Sequence, residues 1–303
     1  MSAAHILAAD LAARFRLDKR ARSWGGDCPA CSYPRAFTIK PGHGSRPMLF
    51  CANGCTRDTL DAVARDVLGG AWTPPTAPDA GKAQQDRATR QDAARRLWMG
   101  STPCANTPAS LYLQRRGIGH VTASAALRYR GDCRHPEGGR WPALVALVQD
   151  AARQPIAAHR TFLTLDGRKA RVDPVKASIG PVWGGAVRLD PAPLDPAAAL
   201  VIGEGIETAA SAGLLMGLPA WAALSAGNLA RGVLLPLDVR HVVIAADHDA
   251  GPRQPGQDAA QAAAARWRGE GRTVRIATPD VPGNDFNDLL QDRARRAAEA
   301  HHG

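Results

Sequence analysis

Long apolar runs are missing from this chain, and no stretch approaches the roughly 20 residues that a membrane-spanning helix needs. The opening, MSAAHILAADLAARFRL, is broken by Asp10 and lacks the continuous apolar region of a secretory signal. A cytoplasmic protein is therefore expected. No glycine-rich loop ending in Gly-Lys-Ser/Thr occurs, which excludes a helicase motor of that type. Aromatic residues are scarce, at 5%, while Ala, Gly, Pro and Arg are heavily used, a bias that genomic composition explains as well as function does. Internal repeats are absent. Cysteines are few, six in 303 residues, and in a reducing compartment they are better metal ligands than disulfide partners.

Acidic charge is thin in the first part of the chain. Residues 1–180 hold 27 Lys/Arg against 14 Asp/Glu, whereas residues 181–303 hold 11 against 14. A basic front and an acidic back suggest a polyanion-binding part joined to a part with clustered carboxylates. The bland alternative is a solvated basic surface.

Patterning divides the chain into domains at 1–70, 84–195 and 196–303, with a linker at 71–83 (AWTPPTAPDAGKA), rich in Pro and Ala and without an apolar period. Helices are expected over 1–20, 58–68, 84–99 and 109–118. Thr56 or Asp58 is the N-cap of the second, and Gly69 and Gly117 are stops. Residues 143–150 and 155–167 read as paired strands, followed by a third stretch ending at 180–191. The last part alternates: strands at 198–204, 219–224, 241–247 and 273–279, helices at 207–217 and 258–271. That alternation predicts an α/β fold with a parallel sheet flanked by helices.

Cys28-Pro-Ala-Cys31 and Cys51-Ala-Asn-Gly-Cys55 form two close pairs separated by 19 residues. Each pair can place two thiolates on one turn, and the segment between can fold back as a hairpin, completing the four-thiolate shell of structural zinc. His43, in the tip PGHGS, could replace one cysteine, and Cys104 and Cys133 stand alone. Such a ribbon would present Arg35, Lys40 and Arg46 to nucleic acid. Phe37 and Phe50 read as core residues.

The second constellation is acidic. Glu204 ends an apolar strand in VIGEGIETA, and Asp247 and Asp249 end another in VVIAADHDAG. In an open parallel sheet, functional groups gather at the carboxyl ends of strands. Three carboxylates there repel one another unless a cation joins them, and magnesium suits such an oxygen-rich site, with manganese as an alternative. The opposing reading is of solvated loop acids or helix caps.

Glu after one strand and Asp-x-Asp after a later one resemble the Toprim fold of primases, topoisomerases and related nucleases, over about residues 196–292. The resemblance implies that Glu204 is the acid/base residue or a metal ligand and that Asp247 and Asp249 hold magnesium. GNDFNDLL (283–290) resembles the closing segment of this fold in phage and plasmid primases. Asp285 and Asp288 are candidates for a third acidic position there, and Asp288 equally reads as a cap before Leu289 and Leu290. Upstream, WGGDCPAC with LFCANGCTRDTLDAV resembles the zinc-binding head of those primases. That head has three cysteines and a histidine in the best-known bacterial primases, whereas four cysteines stand here. ASLYLQRRGI, WPALVALVQD and AAHRTFLTLDGRKARVDPVKASIGPVWGGAVRL resemble the α+β module that precedes Toprim. In that family the module supplies basic residues to the cleft, which here implies His159, Arg160, Lys169 and Lys176.

The resemblance implies a DNA primase that uses zinc structurally and magnesium catalytically. Single-stranded DNA and nucleoside triphosphates would be its partners in DNA replication, with a replicative helicase on another chain. Rival readings are a Toprim nuclease and a non-catalytic single-strand-binding protein of a mobile element. A topoisomerase needs a nucleophilic tyrosine in a large separate domain, and none of Tyr33, Tyr112 and Tyr129 has the surrounding chain for one.

Overall fold

The computed structural model describes residues 3–42, 47–68, 80–250 and 254–300. They fall into two compact units, one of Met1–Gln84 with Pro136–Gly139 and one of Gln85–His135 with Arg140–Gly303.

The first unit contains helix α1 (Ala3–Arg14), strands β1 (Asp18–Lys19), β2 (Trp24–Gly26), β3 (Phe37–Lys40) and β4 (Met48–Cys51), and helix α2 (Arg57–Leu68). The strands form an antiparallel sheet in the order β1-β2-β3-β4. Alternation along β3 sends Phe37 and Ile39 inward, where they pack with Trp24, Leu11 and Leu60. α1 is shorter than the sequence suggests. Arg16 takes a positive φ of 53°, Leu17 N–H closes on Ala12 O at 2.9 Å, and residues 18–19 pair as a strand instead. At α2, Thr59 N–H donates to Thr56 Oγ1 at 3.2 Å, so the cap is Thr56 and not Asp58. The proposed stop at Gly69 lies outside the described residues.

Helix α3 (Ala80–Met99) begins four residues earlier than expected. The linker expected over 71–83 therefore gives way to helix from residue 80, and its remainder lies outside the described residues.

The second unit holds two five-stranded sheets. The first, in the order β5-β6-β7-β8-β9, is antiparallel: β5 (Thr102–Pro103), β6 (Leu127–Arg134), β7 (Arg140–Gln149), β8 (Pro155–Phe162) and β9 (Lys176–Ile179). Helix α4 (Pro108–Arg115) precedes β6, and Gly117 follows it with a positive φ of 71°. The second sheet runs β10-β12-β11-β13-β14, with β10 (Val187–Arg188) antiparallel at one edge. β11 (Ala199–Gly203), β12 (Ala220–Ala222), β13 (His241–Ala245) and β14 (Thr273–Ala277) are parallel. Their apolar runs suit strands covered on both faces. Helices α5 (Ile206–Met216), α6 (Pro255–Gly269) and α7 (Phe286–Ala300) complete the unit.

α5 lies close over β11 because small residues meet there. A Cβ on Gly203 would fall 2.9 Å from the Ala209 nitrogen, so only glycine permits that approach. The two sheets share one apolar cluster, in which Tyr112, Leu113, Leu127, Leu144 and Ile156 join Val187, Val201, Ala209, Ala222 and Phe286. Residues 187–188, grouped by sequence with the first sheet, belong to the second.

Candidate active site and metal centres

The four cysteines converge in the first unit. Cys28 Sγ stands 3.9 Å from Cys55 Sγ, Cys31 Sγ stands 3.8 Å from Cys51 Sγ, and all four ligand atoms lie within 4.8 Å of one another. A zinc–sulfur bond of about 2.3 Å gives a tetrahedron with edges of about 3.8 Å, so the donor set fits zinc in both chemistry and size. The thiols also disagree in charge when left to themselves. A hydrogen bond from Cys51 draws Cys28 down to about 5, the same bond pushes Cys51 up, and burial raises Cys55 to about 12. A dication is what lets four thiolates coexist. Asn53 Nδ2 donates to Cys31 Sγ at 3.6 Å, a supporting contact.

The thiols form this group without His43, which lies outside the described residues, as does Arg46. Arg35 is exposed, and its N–H is held by Asp27 Oδ1 at 2.9 Å. Lys40 ends β3, half-buried. Phe37 is core, as expected, but Phe50 is 61% exposed. β4 turns Cys51 inward, so its alternation turns Met48 and Phe50 outward. Cys104 and Cys133 are buried in the second unit, and burial raises both thiols, Cys104 to about 12.

The acidic residues meet at the carboxyl end of the second sheet. β11 and β13 are adjacent and parallel, with Gly203 opposite Ala245, so the residues that follow them leave the sheet at the same end. Glu204 follows β11 directly. Asp247 follows β13, and Thr208 on the first turn of α5 donates to its Oδ1 at 3.2 Å. Asp249 accepts the Gly256 N–H at 2.8 Å through Oδ2, so it also caps the start of α6. His248 ties this loop to the segment before α7: its N–H reaches Asn284 O at 3.0 Å, its Nδ1 stands 2.8 Å from Pro279 O, and Gly283 N–H reaches His248 O at 2.6 Å.

The two later aspartates sit on the first turn after that tie. Asp285 is the N-cap of α7, accepting from Asn287 N–H at 2.7 Å and Asp288 N–H at 2.9 Å. Asp288 reaches back to the Asp285 N–H at 3.1 Å, completing a capping box. Asp285 also acts on Asp247, whose carboxyl is pushed up to about 7 by burial, then by the charges of Glu204, Asp285 and Asp249, against the Thr208 hydrogen bond. Four carboxylates thus share one field, and Asp288 serves the helix. The donor set is hard oxygen under mutual repulsion, which fits magnesium. Among the described residues the thiols are the one group of three or more such ligands within 4.8 Å of one another.

Beside the acids lies a cluster that the sequence reading missed. Glu207, on the first turn of α5, is 7% exposed. It accepts from the Tyr112 hydroxyl and pairs with Lys176 Nζ at 3.0 Å and Lys169 Nζ at 3.3 Å. Burial opposes its charge, yet the two ammonium groups and the phenol hold its carboxyl well below the usual range. The available signal was a second acid three residues after Glu204, on a helix start where acids are common. Lys169 and Lys176 thus lie together on one carboxylate.

His159 and Arg160 do not join them at the surface. His159 is buried, with Nδ1 2.9 Å from Ser178 Oγ, and burial followed by the Lys176 charge draws its imidazole down to about 3, leaving it neutral. Arg160 is buried over Phe162 and donates to Arg134 O at 2.8 Å and Ala177 O at 3.3 Å. The resemblance offered both as basic groups of the cleft, but both are buried along β8 and their polar atoms are used within the sheet.

A parallel sheet with acids after its first and third strands in chain order defines an α/β domain of the Toprim class. Residues 199–296 match the model of the Toprim domain, and residues 88–189 match a domain of unknown function (DUF7146). The chain therefore carries a Toprim domain. Its fold is similar to the DnaG catalytic core (18% identity, TM-score 0.43, 70% of this chain and 77% of that one). It is also similar to a DNA primase domain from Pseudomonas aeruginosa (16%, 0.43, 70% and 77%). The primase fragment of the bacteriophage T7 primase-helicase protein is a third (14%, 0.43, 91% and 97%). No curated protein matches the sequence. Among the described residues no helix is long and apolar enough to cross a membrane.

Proposed function

We propose that this protein is a DNA primase, making short oligonucleotides on single-stranded DNA by metal-dependent nucleotidyl transfer. The observation that carries this reading is the meeting of two opposite charge sets: Glu204, Asp247, Asp249 and Asp285 at the strand ends, and Lys169 with Lys176 on the adjoining β-module. Phosphoryl transfer from a nucleoside triphosphate needs both, carboxylates to hold a divalent cation and cations to hold phosphates. Magnesium, when bound, would stabilise the charge that develops as pyrophosphate leaves. Glu204 takes the proton of the attacking 3′ hydroxyl. Lys169 and Lys176 hold phosphate oxygens.

In this reading residues 1–70 grip template through the zinc ribbon, with Arg35, Lys40 and Arg46 as its basic contacts. Residues 84–195 supply the lysines, and residues 196–303 the chemistry. Template binding should weaken steeply with salt. A helicase would act as a separate chain.

The decisive experiment incubates wild type and Asp247→Ala with single-stranded DNA, labelled nucleotides and magnesium. De novo oligonucleotides that disappear in the variant are expected. Shortened template without synthesis would make the protein a nuclease, and binding without either would make it a non-catalytic single-strand binder.

A further inference from the structure

Every polar contact that the structure gives Glu207 is with a donor: the Tyr112 hydroxyl, Lys176 Nζ and Lys169 Nζ. One carboxylate against two ammonium groups leaves the cluster net positive. Each ammonium has three N–H donors, and Glu207 uses one from each. Both lysine side chains keep 34% of their surface exposed, so the cluster meets solvent on the lysine side. The lysines belong to the first sheet's side of the unit, Lys176 as the first residue of β9 and Lys169 in the loop before it, whereas Glu207 comes from α5 of the second sheet. The carboxylate is thus the link that draws two cations of one sheet to the acidic end of the other.

Gly205 shows how close that is. A Cβ there would stand 3.6 Å from Glu207 Oε2 and 3.7 Å from Thr208 Oγ1, and Thr208 in turn donates to Asp247. The lysine pair and the acidic site are therefore joined through one helical turn. A surface ion pair would contribute little and would not require burial of the acid. Here the acid is buried and the cations are not, an arrangement that aims the cations.

We propose that Glu207 is a positioning residue for polyphosphate recognition: it holds Lys169 and Lys176 beside the acidic strand ends, so that their free donors take the phosphate oxygens of a nucleoside triphosphate. The assignment of that ligand rests on the primase reading above. Glu207→Gln keeps the size of the side chain and an acceptor for Tyr112, but leaves two ammonium groups without their shared counter-charge.

The test measures binding of MgATP and of inorganic tripolyphosphate to the full chain by calorimetry, together with nucleotide KM and kcat in primer synthesis and the melting temperature. Removing one member of a buried charge set should weaken both ligands by about tenfold or more in Glu207→Gln. KM should rise by a similar factor while kcat changes less, and Glu207→Asp, which retains the charge, should recover part of the loss. A lowered melting temperature with unchanged affinity for both ligands would show a purely structural ion pair and overturn the proposal. If Glu207→Gln does not fold, Tyr112→Phe frees one side of the carboxylate at constant charge and must still weaken tripolyphosphate binding; unchanged binding overturns the proposal equally. Oligonucleotide synthesis by wild type with no effect of Glu207→Gln would sink the positioning role and leave the primase. Tripolyphosphate binding lost in Glu207→Gln, in a wild type that makes no oligonucleotide, would do the reverse. A wild type that binds neither ligand removes both.

Discussion

Asp247 sits where burial and three neighbouring carboxylates act in the same direction, so its proton is held up to about pH 7. The sign of the consequence follows from linkage. A carboxyl whose folded value lies above its unfolded one contributes stability below the unfolded value, near 3.8, and loses it as pH rises through about 7. Metal-free protein should therefore lose melting temperature between pH 4 and 7 by a component absent from Asp247→Asn, as scanning calorimetry across that range would show. Magnesium should reverse the loss at pH 7 and above, and its affinity should fall as protons compete below about 7. The same scale shows how far single residues can be read. Glu204, Asp247 and Asp249 were legible because each lies within a few residues of a strand end, a relation local in sequence. Glu207 was not, because its partners Tyr112, Lys169 and Lys176 lie far away along the chain. Phe50 was misassigned because alternation fixes which residues share a face and leaves open which face is covered.

Helix α7 shows how a whole element is placed by its first turn. Asp285 and Asp288 form its capping box, and Asn287 is fully buried, donating to Arg116 O at 2.6 Å and Ser211 Oγ at 3.0 Å. The helix start is thereby bound to α5 and to the end of α4. Asp285→Ala and Asp288→Ala should each cost about 0.5–2 kcal/mol as cap losses in denaturant unfolding. Only Asp285→Ala should also weaken magnesium binding, since only Asp285 acts on Asp247; equal magnesium affinity in the two variants would remove Asp285 from the acidic set. Strand β6 marks the limit of reading elements from sequence. Its residues, LRYRGDCR, carry charge at every second step, but the intervening positions include Gly131 and Cys133 and no run of large apolar residues, so the strand signal is weak, and its pairing to β7 shifts between Arg130 and Cys133.

At the scale of the molecule, the thiol group and the acidic group lie in separate units. The thiol shell ties together the turn before β3, the end of β4 and the segment leading to α2 in a unit with a small core. A small core of this kind depends on its metal. A strong zinc chelator should release one zinc per chain and unfold residues 3–68, while hydrogen exchange in the second unit stays protected. Loss of protection across both units together would refute that independence. Within the second unit the β-module and the Toprim sheet share an apolar cluster, so the lysines and the carboxylates are carried on one packed body.

The sequence by itself determined the alternating α/β end, the convergence of four thiols and the strand-end position of the acids, because periodicity, ligand spacing and strand-end position are properties of short segments. Tertiary structure alone decided that Asp285 and Asp288 share the cap of α7 with Asp285 acting on Asp247, that His159 and Arg160 are buried, and that Glu207 gathers Lys169 and Lys176. Those outcomes depend on which surfaces pack together, and burial then sets the charge of each group. The acids and the two lysines could be named from the chain, but Glu207, which holds the lysines, became visible only where two sheets meet over one core.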